Sequence, residues 1–575
     1  MGAYVKPEKS DFLTIRFLLL AYWKSKEKWG ALGLLSLLIV LALFSVYLSV
    51  RLNEWNVEFY NALGALDQDA FWQSVREFAL IVTVFVLLTG YSTYLQMLLQ
   101  IRWRQWLTKQ LVDKWLVNHT YYRMRFLGGA GQADNPDQRI SEDIASFVNI
   151  SISLFLAFIH QAVSLVSFVF ILWGLSGVGS VTLSGIEIHI PGYLVWLAIA
   201  YALLGTWITT KIGRLLVPLN YTQQQYEADF RFNLMRLREN DESIALLGGE
   251  KWESANLGER FRFIVGNYRR LMTANKRLSW WKTGYEYLTM IFALVVAAPR
   301  YFEKEIALGQ MMQISSAYQQ VASALSFFIT VYTQLAEWKA VANRLRGFAA
   351  SMDEAELMRS ERDNAPVSKI ENAIAAKLTV CKEPGNVLIR DLKLQLSPGE
   401  KLLVTGPSGV GKSTLLRSLA GLWPHTQGDT NLMEPVWFAP QKLYAPQTSL
   451  REALCYPSQP TLSDESLKAL LVECSLSQFT ERLDERQDWM KILSPGEQQR
   501  LAFARLILHK PQSMFLDEAT SALDEITEAK LYRLLVEKFP QSIIISVGHR
   551  ATLTEFHDKQ LVITGQGDWN LQALR

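Results

Sequence analysis

The sequence predicts a chain in two parts: a polytopic α-helical membrane domain of six transmembrane helices, then a soluble α/β domain built on a phosphate-binding loop. Three observations carry this. Trp29–Val50 holds no charge over its whole length, and ~20 apolar residues are enough for a helix to cross the hydrocarbon of a bilayer. Half of the 575 residues are hydrophobic and only 20% are charged, a greasier balance than soluble proteins show. Leu402–Ser413 reads LLVTGPSGVGKS, a short apolar strand running into the G-x-x-x-x-G-K-S pattern of a P-loop.

Met1–Asp11 is polar and no small-residue cleavage site follows the first apolar run, so no signal peptide is expected. After the first span come Phe78–Leu99, Ile152–Gly174 and Tyr193–Ile212, and then two less apolar candidates, Gly284–Ala298 and Gln310–Gln334. Lys24, Lys26 and Lys28 precede the first span; Arg102, Arg104, Lys109, Lys114, Arg123 and Arg125 follow the second; a further basic set runs from Arg231 to Lys282. Ser176–Pro191 carries neither Lys nor Arg, and Glu54, Glu58, Asp67 and Asp69 make the loop after the first span acidic. Positive loops stay in the cytoplasm, so both chain ends are expected there. The net charge of +3 makes no case for a nucleic-acid partner. Cys381, Cys455 and Cys474 have no paired spacing, which excludes a disulfide framework and leaves reduced thiols.

About 50 residues join spans two and three, and about 70 join four and five. Structureless loops of that size are uncommon, and the mixed apolar and charged makeup of RWRQWLTKQLVDKWL and FRFNLMRLRENDESIALL predicts helices extending below the membrane. Residues 351–369 are polar and contain Pro366, the pattern of a linker. The expected domains are thus 1–350 in the membrane, a linker at 351–369, and the soluble domain at 370–575.

In the loop Gly406-Pro407-Ser408-Gly409-Val410-Gly411-Lys412-Ser413-Thr414, the glycines let backbone N–H groups turn toward phosphate oxygens, and the following helix adds its positive end. Lys412 is expected at the β- and γ-phosphates of a nucleotide and Ser413 at its Mg²⁺. About 105 residues later, SMFLDE ends a strand in two carboxylates. Asp517 fits the second Mg²⁺ contact and Glu518 the base for an attacking water.

LSPGEQQR, Leu493–Arg500, closely resembles the signature of the ABC ATPases, usually LSGGQ followed by QR. Gln441 in FAPQ matches the family's Q-loop, Ser521–Asp524 its D-loop, and His549 after SIIISVG its switch histidine. The resemblance implies ATP and Mg²⁺ as cofactors, with Gln441 joining Ser413 and Asp517 at the metal and His549 and Gln441 joining Glu518 in catalysis. It also implies a homodimer, because in the family Ser494, Gly496 and Asp524 of one copy would complete the site of the other. Pro495 and Glu497 depart from the usual Gly and Gln, and no aromatic residue stands near Lys382–Asn386, where relatives stack the adenine; Pro384 is the substitute there.

LNEWNVEFYNAL (Leu52–Leu63) and DNPDQRISEDI (Asp134–Ile144) look like the bacterial SbmA/BacA-related, YddA-like group, and the second, with EADFRFNLMRLREN, is also similar to the peroxisomal ABCD fatty-acyl half transporters. Read without the family, Asn135 caps a helix, Pro136 begins it and acids follow. The resemblance implies in addition that this loop rests on the ATPase and transmits its motion. It further implies an ATP-driven half transporter in the bacterial inner membrane, taking up a hydrophilic solute such as a peptide or corrinoid. An exporter of lipid or fatty-acyl cargo and a membrane-tethered regulatory ATPase stay open as alternatives. Gln313, Ser316, Gln320 and Ser323 form one polar stripe on the sixth span; a water-filled translocation cavity and hydrogen-bonded helix packing both account for it. Lys282 and Glu286 at one end of the fifth span suit a local ion pair better than a proton relay.

Overall fold

Long unbroken helices fill the first half of the chain in the computed structural model, which describes residues 15–127, 135–183, 186–363, 373–383, 385–460 and 462–574. They are α1 (Lys28–Ala65), α2 (Gln68–Leu116), α3 (Ile144–Ser176), α4 (Tyr193–Gly213), α5 (Leu216–Glu239), α6 (Asp241–Leu247), α7 (Glu250–Phe302), α8 (Leu308–Leu325) and α9 (Phe327–Asp363). The 49 residues of α2 reach about 70 Å at 1.5 Å each, against a hydrocarbon core of ~30 Å. The long connections are therefore helical extensions, as their composition predicts. Among the described residues, four helices are long and apolar enough to cross a membrane by length and composition, starting at Lys28, Gln68, Pro136 and Tyr193. The fifth and sixth spans expected from the sequence fall within α7 and α8–α9, where polar residues dilute the apolar surface. Apolar side chains such as Leu80, Val86 and Phe170 are exposed, as a hydrocarbon solvent permits.

One expectation is corrected here. The sixth span is not one helix: it breaks at Ser326, whose backbone (φ −81°, ψ −3°) closes the last turn of α8 before α9 begins. The segment after residue 350 begins as helix, because α9 continues to Asp363; MDEAELMRSER is rich in strong helix formers, and their propensity outweighs the polarity. Residues 364–372, with Pro366, lie outside the described residues, as does Pro384.

The chain forms two compact units, Met1–Val112 with Asn135–Ala349, and Asp113–Asp134 with Ala350–Arg575. In the first, Phe168, Leu194, Ala293, Ile314 and Tyr318 form a buried core among α3, α4, α7 and α8. Gly309 lets α8 approach α1 closely: an added Cβ would stand 2.4 Å from the Val57 carbonyl oxygen, and its N–H donates to Asn61 Oδ1 at 3.0 Å. A hairpin of β1 (Val178–Leu183) and β2 (Ile186–Pro191) joins α3 to α4. Arg300 of α7 donates to the Leu175 and Ser176 carbonyls at 3.0 Å each, a cation placed where a helix C-terminus offers free acceptors. Asn135 sits at the start of its helix with φ 49° and makes no side-chain cap; it supplies left-handed backbone instead, and Pro136 takes the first helical position as expected. Asn135–Ile144 belongs to the membrane unit. The stretch just before it groups with the soluble unit, where Lys114 pairs with Asp353 and the Phe126 ring meets Trp423 edge-on at 5.0 Å.

The soluble unit contains β3 (Ile374–Glu383), β4 (Asn386–Leu396), β5 (Lys401–Thr405), α10 (Lys412–Leu419), β6 (Thr426–Asn431), β7 (Val436–Ala439), α11 (Leu450–Cys455), α12 (Asp464–Glu473), α13 (Pro495–His509), β8 (Ser513–Asp517), α14 (Glu525–Lys538), β9 (Ile543–Val547), β10 (Lys559–Gly565) and β11 (Asp568–Ala573). One sheet has the order β11-β10-β5-β9-β8-β7, parallel except for β11; a three-stranded antiparallel sheet has the order β4-β3-β6. The near-continuous apolar strands β8 and β9 are buried along their length, the mark of a parallel sheet covered on both faces. All three cysteines are buried and free.

Candidate functional site

Five parallel strands end on one edge of the sheet, and four of those ends carry the site. In open α/β sheets ligands bind beyond the carboxyl ends of the strands. Here β5 runs into the P-loop, β7 leads to Gln441, β8 ends in Asp517 and Glu518, and β9 leads to His549.

The P-loop needs glycine where the sequence has it. Gly406 has φ 147°, and a Cβ there would stand 2.2 Å from the Ile563 carbonyl oxygen. Gly411, φ 105°, starts α10, so the loop amides and the helix N-terminus converge on one anion-sized position. Pro407, Ser408 and Gly409 form the exposed tip; Val410 and Thr414 are half-buried. Lys412 is buried and donates Nζ to the Gly406 and Pro407 carbonyls at 2.9 Å each, which holds the ammonium across the loop. Burial pushes its pKa down, and the Glu518 and Asp517 carboxylates oppose that.

The Ser413 hydroxyl donates to Asp517 Oδ1 at 2.8 Å, joining the predicted metal pair. Burial pushes the Asp517 carboxyl above its ordinary value, with the Ser413 hydrogen bond pulling the other way. A desolvated carboxylate beside a hydroxyl is a hard oxygen donor set that a small divalent cation would stabilise. Among the described residues no cluster of three His, Cys, Asp or Glu side chains could hold a metal alone.

Glu518 accepts from Gln441 Nε2 at 2.8 Å, and His549 Nε2 stands 3.7 Å from its other oxygen. The three residues predicted for catalysis are thus brought together from three strand ends.

Ser494 lies elsewhere, at the start of α13. Its departures from the family pattern explain themselves as helix capping. Ser494 is the N-cap, Pro495 takes the first helical position, and Glu497 closes a capping box with Ser494. Glu497 Oε2 accepts from both the Ser494 N–H and hydroxyl at 2.8 Å, while Oε1 accepts from Gln478 at 2.8 Å. Gly496 packs under the D-loop, where an added Cβ would stand 3.2 Å from the Ala522 carbonyl oxygen. Asp524 caps α14 through the Thr527 N–H and hydroxyl at 2.9 and 2.8 Å. A cavity of about 450 Å³ is lined by Gln441, Pro495, Gln499 and Ala522 among others. Sequence reasoning missed Gln499. It donates to Ser521 Oγ at 3.0 Å and accepts from the Ala522 N–H at 2.8 Å, tying the signature helix to the D-loop; only its place in EQQR hinted at a role.

A phosphate-binding loop, an acidic strand end and a signature helix on one parallel sheet define a P-loop ATPase of the ABC type, here fused to a helical membrane domain. The chain belongs to the ABC transporters. The ABC transporter transmembrane region 2 family matches residues 18–302, and the ABC transporter family matches 389–521. The chain is 35% identical to the inner membrane ABC transporter ATP-binding protein YddA of Escherichia coli K12, over 93% of this chain and 94% of that one. It is 29% identical to the human lysosomal cobalamin transporter ABCD4, over 98% and 96%. Its fold is that of a bacterial Atm1-family ABC exporter solved with ATP bound: TM-score 0.73 at 17% identity, covering 94% and 95% of the two chains. The protein is therefore a membrane transporter that binds ATP and couples its hydrolysis to transport.

Proposed function

We propose that the chain works as a homodimer in the bacterial inner membrane, with both termini cytoplasmic, and takes up a hydrophilic solute such as a peptide or corrinoid. The observation that carries the cargo class is the polar stripe of α8. Gln320 and Ser323 are exposed, and Gln313 and Ser316 half-buried. Polar side chains left outside the packing are costly against lipid, so an aqueous cavity is the environment that suits them. The Lys282–Glu286 contact, 3.9 Å and exposed on both sides, behaves as a surface pair and gives no proton path. The YddA relative, described as an inner membrane protein, supports the location, and the cobalamin transporter supports a polar cargo.

In this reading the loop Gly406–Thr414 cradles the triphosphate, and Lys412 neutralises its β- and γ-oxygens. Ser413, Gln441 and Asp517 would hold Mg²⁺, which supplies charge neutralisation at the transferring phosphoryl group. Glu518 accepts the proton of the attacking water, and His549 and Gln441 hold that carboxylate and the water in line. Ser494, Gly496 and Asp524 of the second copy close the site. ATP then draws the two ATPase domains together, and that closure switches the exposure of the cavity, an exchange of differential binding energy between two states. The test is the purified protein in proteoliposomes, screened with peptides, corrinoids and acyl-CoA. Stimulation of hydrolysis by the polar solutes, with flux toward the ATPase side, is expected. Stimulation by acyl-CoA alone, or flux only away from that side, replaces the reading with acyl or lipid export. Hydrolysis indifferent to every solute leaves a regulatory ATPase.

A further inference from the structure

Glu518 has φ 49°, a left-handed backbone that a residue with a side chain adopts only where its surroundings enforce it. Part of the enforcement is local: its N–H donates to the Val547 carbonyl at 3.1 Å. The segment that follows is held by Gln499, as described above, and by two charged residues that the mechanism above leaves unused. Arg550, directly after His549, donates Nη1 to the Leu523 carbonyl at 2.7 Å and Nη2 to the Ser521 carbonyl at 3.2 Å. Its Nη1 also stands 3.6 Å from Glu528 Oε2. Glu528 lies on α14 with its side chain only 1% exposed. It accepts from the Thr520 hydroxyl and from the Thr552 hydroxyl at 2.8 Å. One buried carboxylate thus joins the loop that follows Glu518 to the loop that follows His549, and one guanidinium bolts the two together.

The chemistry explains the residue types. Ser521 and Leu523 present carbonyls in a turn that no ladder pairs, and a planar fork reaches both from separate nitrogens while keeping its charge beside a carboxylate; an ammonium offers a single nitrogen for both carbonyls. A carboxylate this buried is retained only when paired.

We propose that Arg550 and Glu528 are positioning residues for ATP hydrolysis, fixing the segment Glu518–Leu523 against the His549 loop so that both catalytic groups face the same atoms. This rests on the assignment of Glu518 as base. Neither residue is placed to touch the triphosphate, so their loss acts on turnover and spares nucleotide binding.

The test is steady-state ATPase kinetics on the full chain, with melting temperatures in parallel. Arg550→Ala is expected to lower kcat about tenfold or more with KM for ATP changed less than about twofold. Arg550→Lys, which keeps the charge and one donor direction, recovers part of the rate. Glu528→Gln lowers kcat in the same way, and the double variant Glu528→Gln with Arg550→Ala is no slower than Arg550→Ala alone, because the pair acts as one unit. Where Arg550→Ala melts early, Arg550→Lys and Glu528→Gln with wild-type melting carry the same test. Full turnover in those two, or rate losses that multiply in the double variant, overturns the proposal. Glu518→Gln run alongside separates the two readings: turnover retained there discards the base assignment, whereas turnover lost there but at the full wild-type rate in both Arg550→Lys and Glu528→Gln discards the positioning role.

Discussion

Glu518 carries the sharpest residue-scale expectation. Gln at this position keeps the size and the Gln441 neighbour but cannot accept a proton. Glu518→Gln should leave ATP binding intact and cut hydrolysis about a hundredfold, read by nucleotide binding beside phosphate release. Glu497 offers a milder case. Gln serves equally in a capping box, so Glu497→Gln should keep the melting temperature. It also removes a negative charge beside the helix start that is to meet a phosphate. The ATP concentration for half-maximal hydrolysis should fall about twofold, the size of an exposed charge interaction.

His557 sets a pH dependence. It is fully buried, with Nδ1 2.6 Å from the Leu553 carbonyl oxygen and Nε2 2.9 Å from the Ser546 hydroxyl, a pattern that suits the neutral ring. Burial pushes its pKa from 6.5 down to about 4. The unfolded chain therefore takes up the proton first. The stabilisation is complete above about pH 6.5 and is lost as the pH falls toward about 4, by ~3 kcal/mol at most. Melting of the ATPase domain across that interval should show the slope, and His557→Gln should flatten it.

At the scale of elements, helix ends do much of the positioning. The signature helix begins where Ser494, Pro495 and Glu497 place it, α14 begins on Asp524, and Arg300 closes the end of α3. The beginning of α3 is held to α9 by a buried carboxylate. Asp143 receives Arg344 at 2.6 and 2.9 Å and Arg139 at 2.6 Å. Burial would raise its carboxyl, but hydrogen bonds from the Arg344 and Arg139 guanidiniums hold it below its ordinary value. Asp143→Ala removes the buried acceptor that both guanidiniums share; it should destabilise the membrane unit by about 2–3 kcal/mol, read by thermal unfolding in detergent. The SED in that motif is visible in the sequence. Its partner Arg344, about two hundred residues later, is one arginine among many there.

At the scale of the whole molecule, the proposed dimer makes a prediction that a self-sufficient chain cannot meet. Lys412→Ala disables both sites of its own homodimer, and so does Ser494→Ala. In a mixed dimer one site carries both defects and the other carries none. Random mixing makes half the dimers mixed, so the combined sample should recover about a quarter of the wild-type rate. No recovery, from chains shown to exchange, would sink the shared site.

The sequence by itself determined the two-part architecture and the membership of the nucleotide site. Both are local in the chain: hydrophobic length is read within one segment, and the P-loop, signature and acidic strand end each owe their chemistry to adjacent residues. Even the Pro495 and Glu497 departures are legible locally, as a helix start. The break at Ser326, the helical reach of α9 to Asp363, the assignment of Asp113–Asp134 to the soluble unit, and the Gln499, Arg550 and Glu528 contacts were decided only in three dimensions. Burial and pairing arise between residues far apart in sequence, and a glutamate in a surface-like stretch such as DEITEAK shows its isolation from water only once α14 has packed.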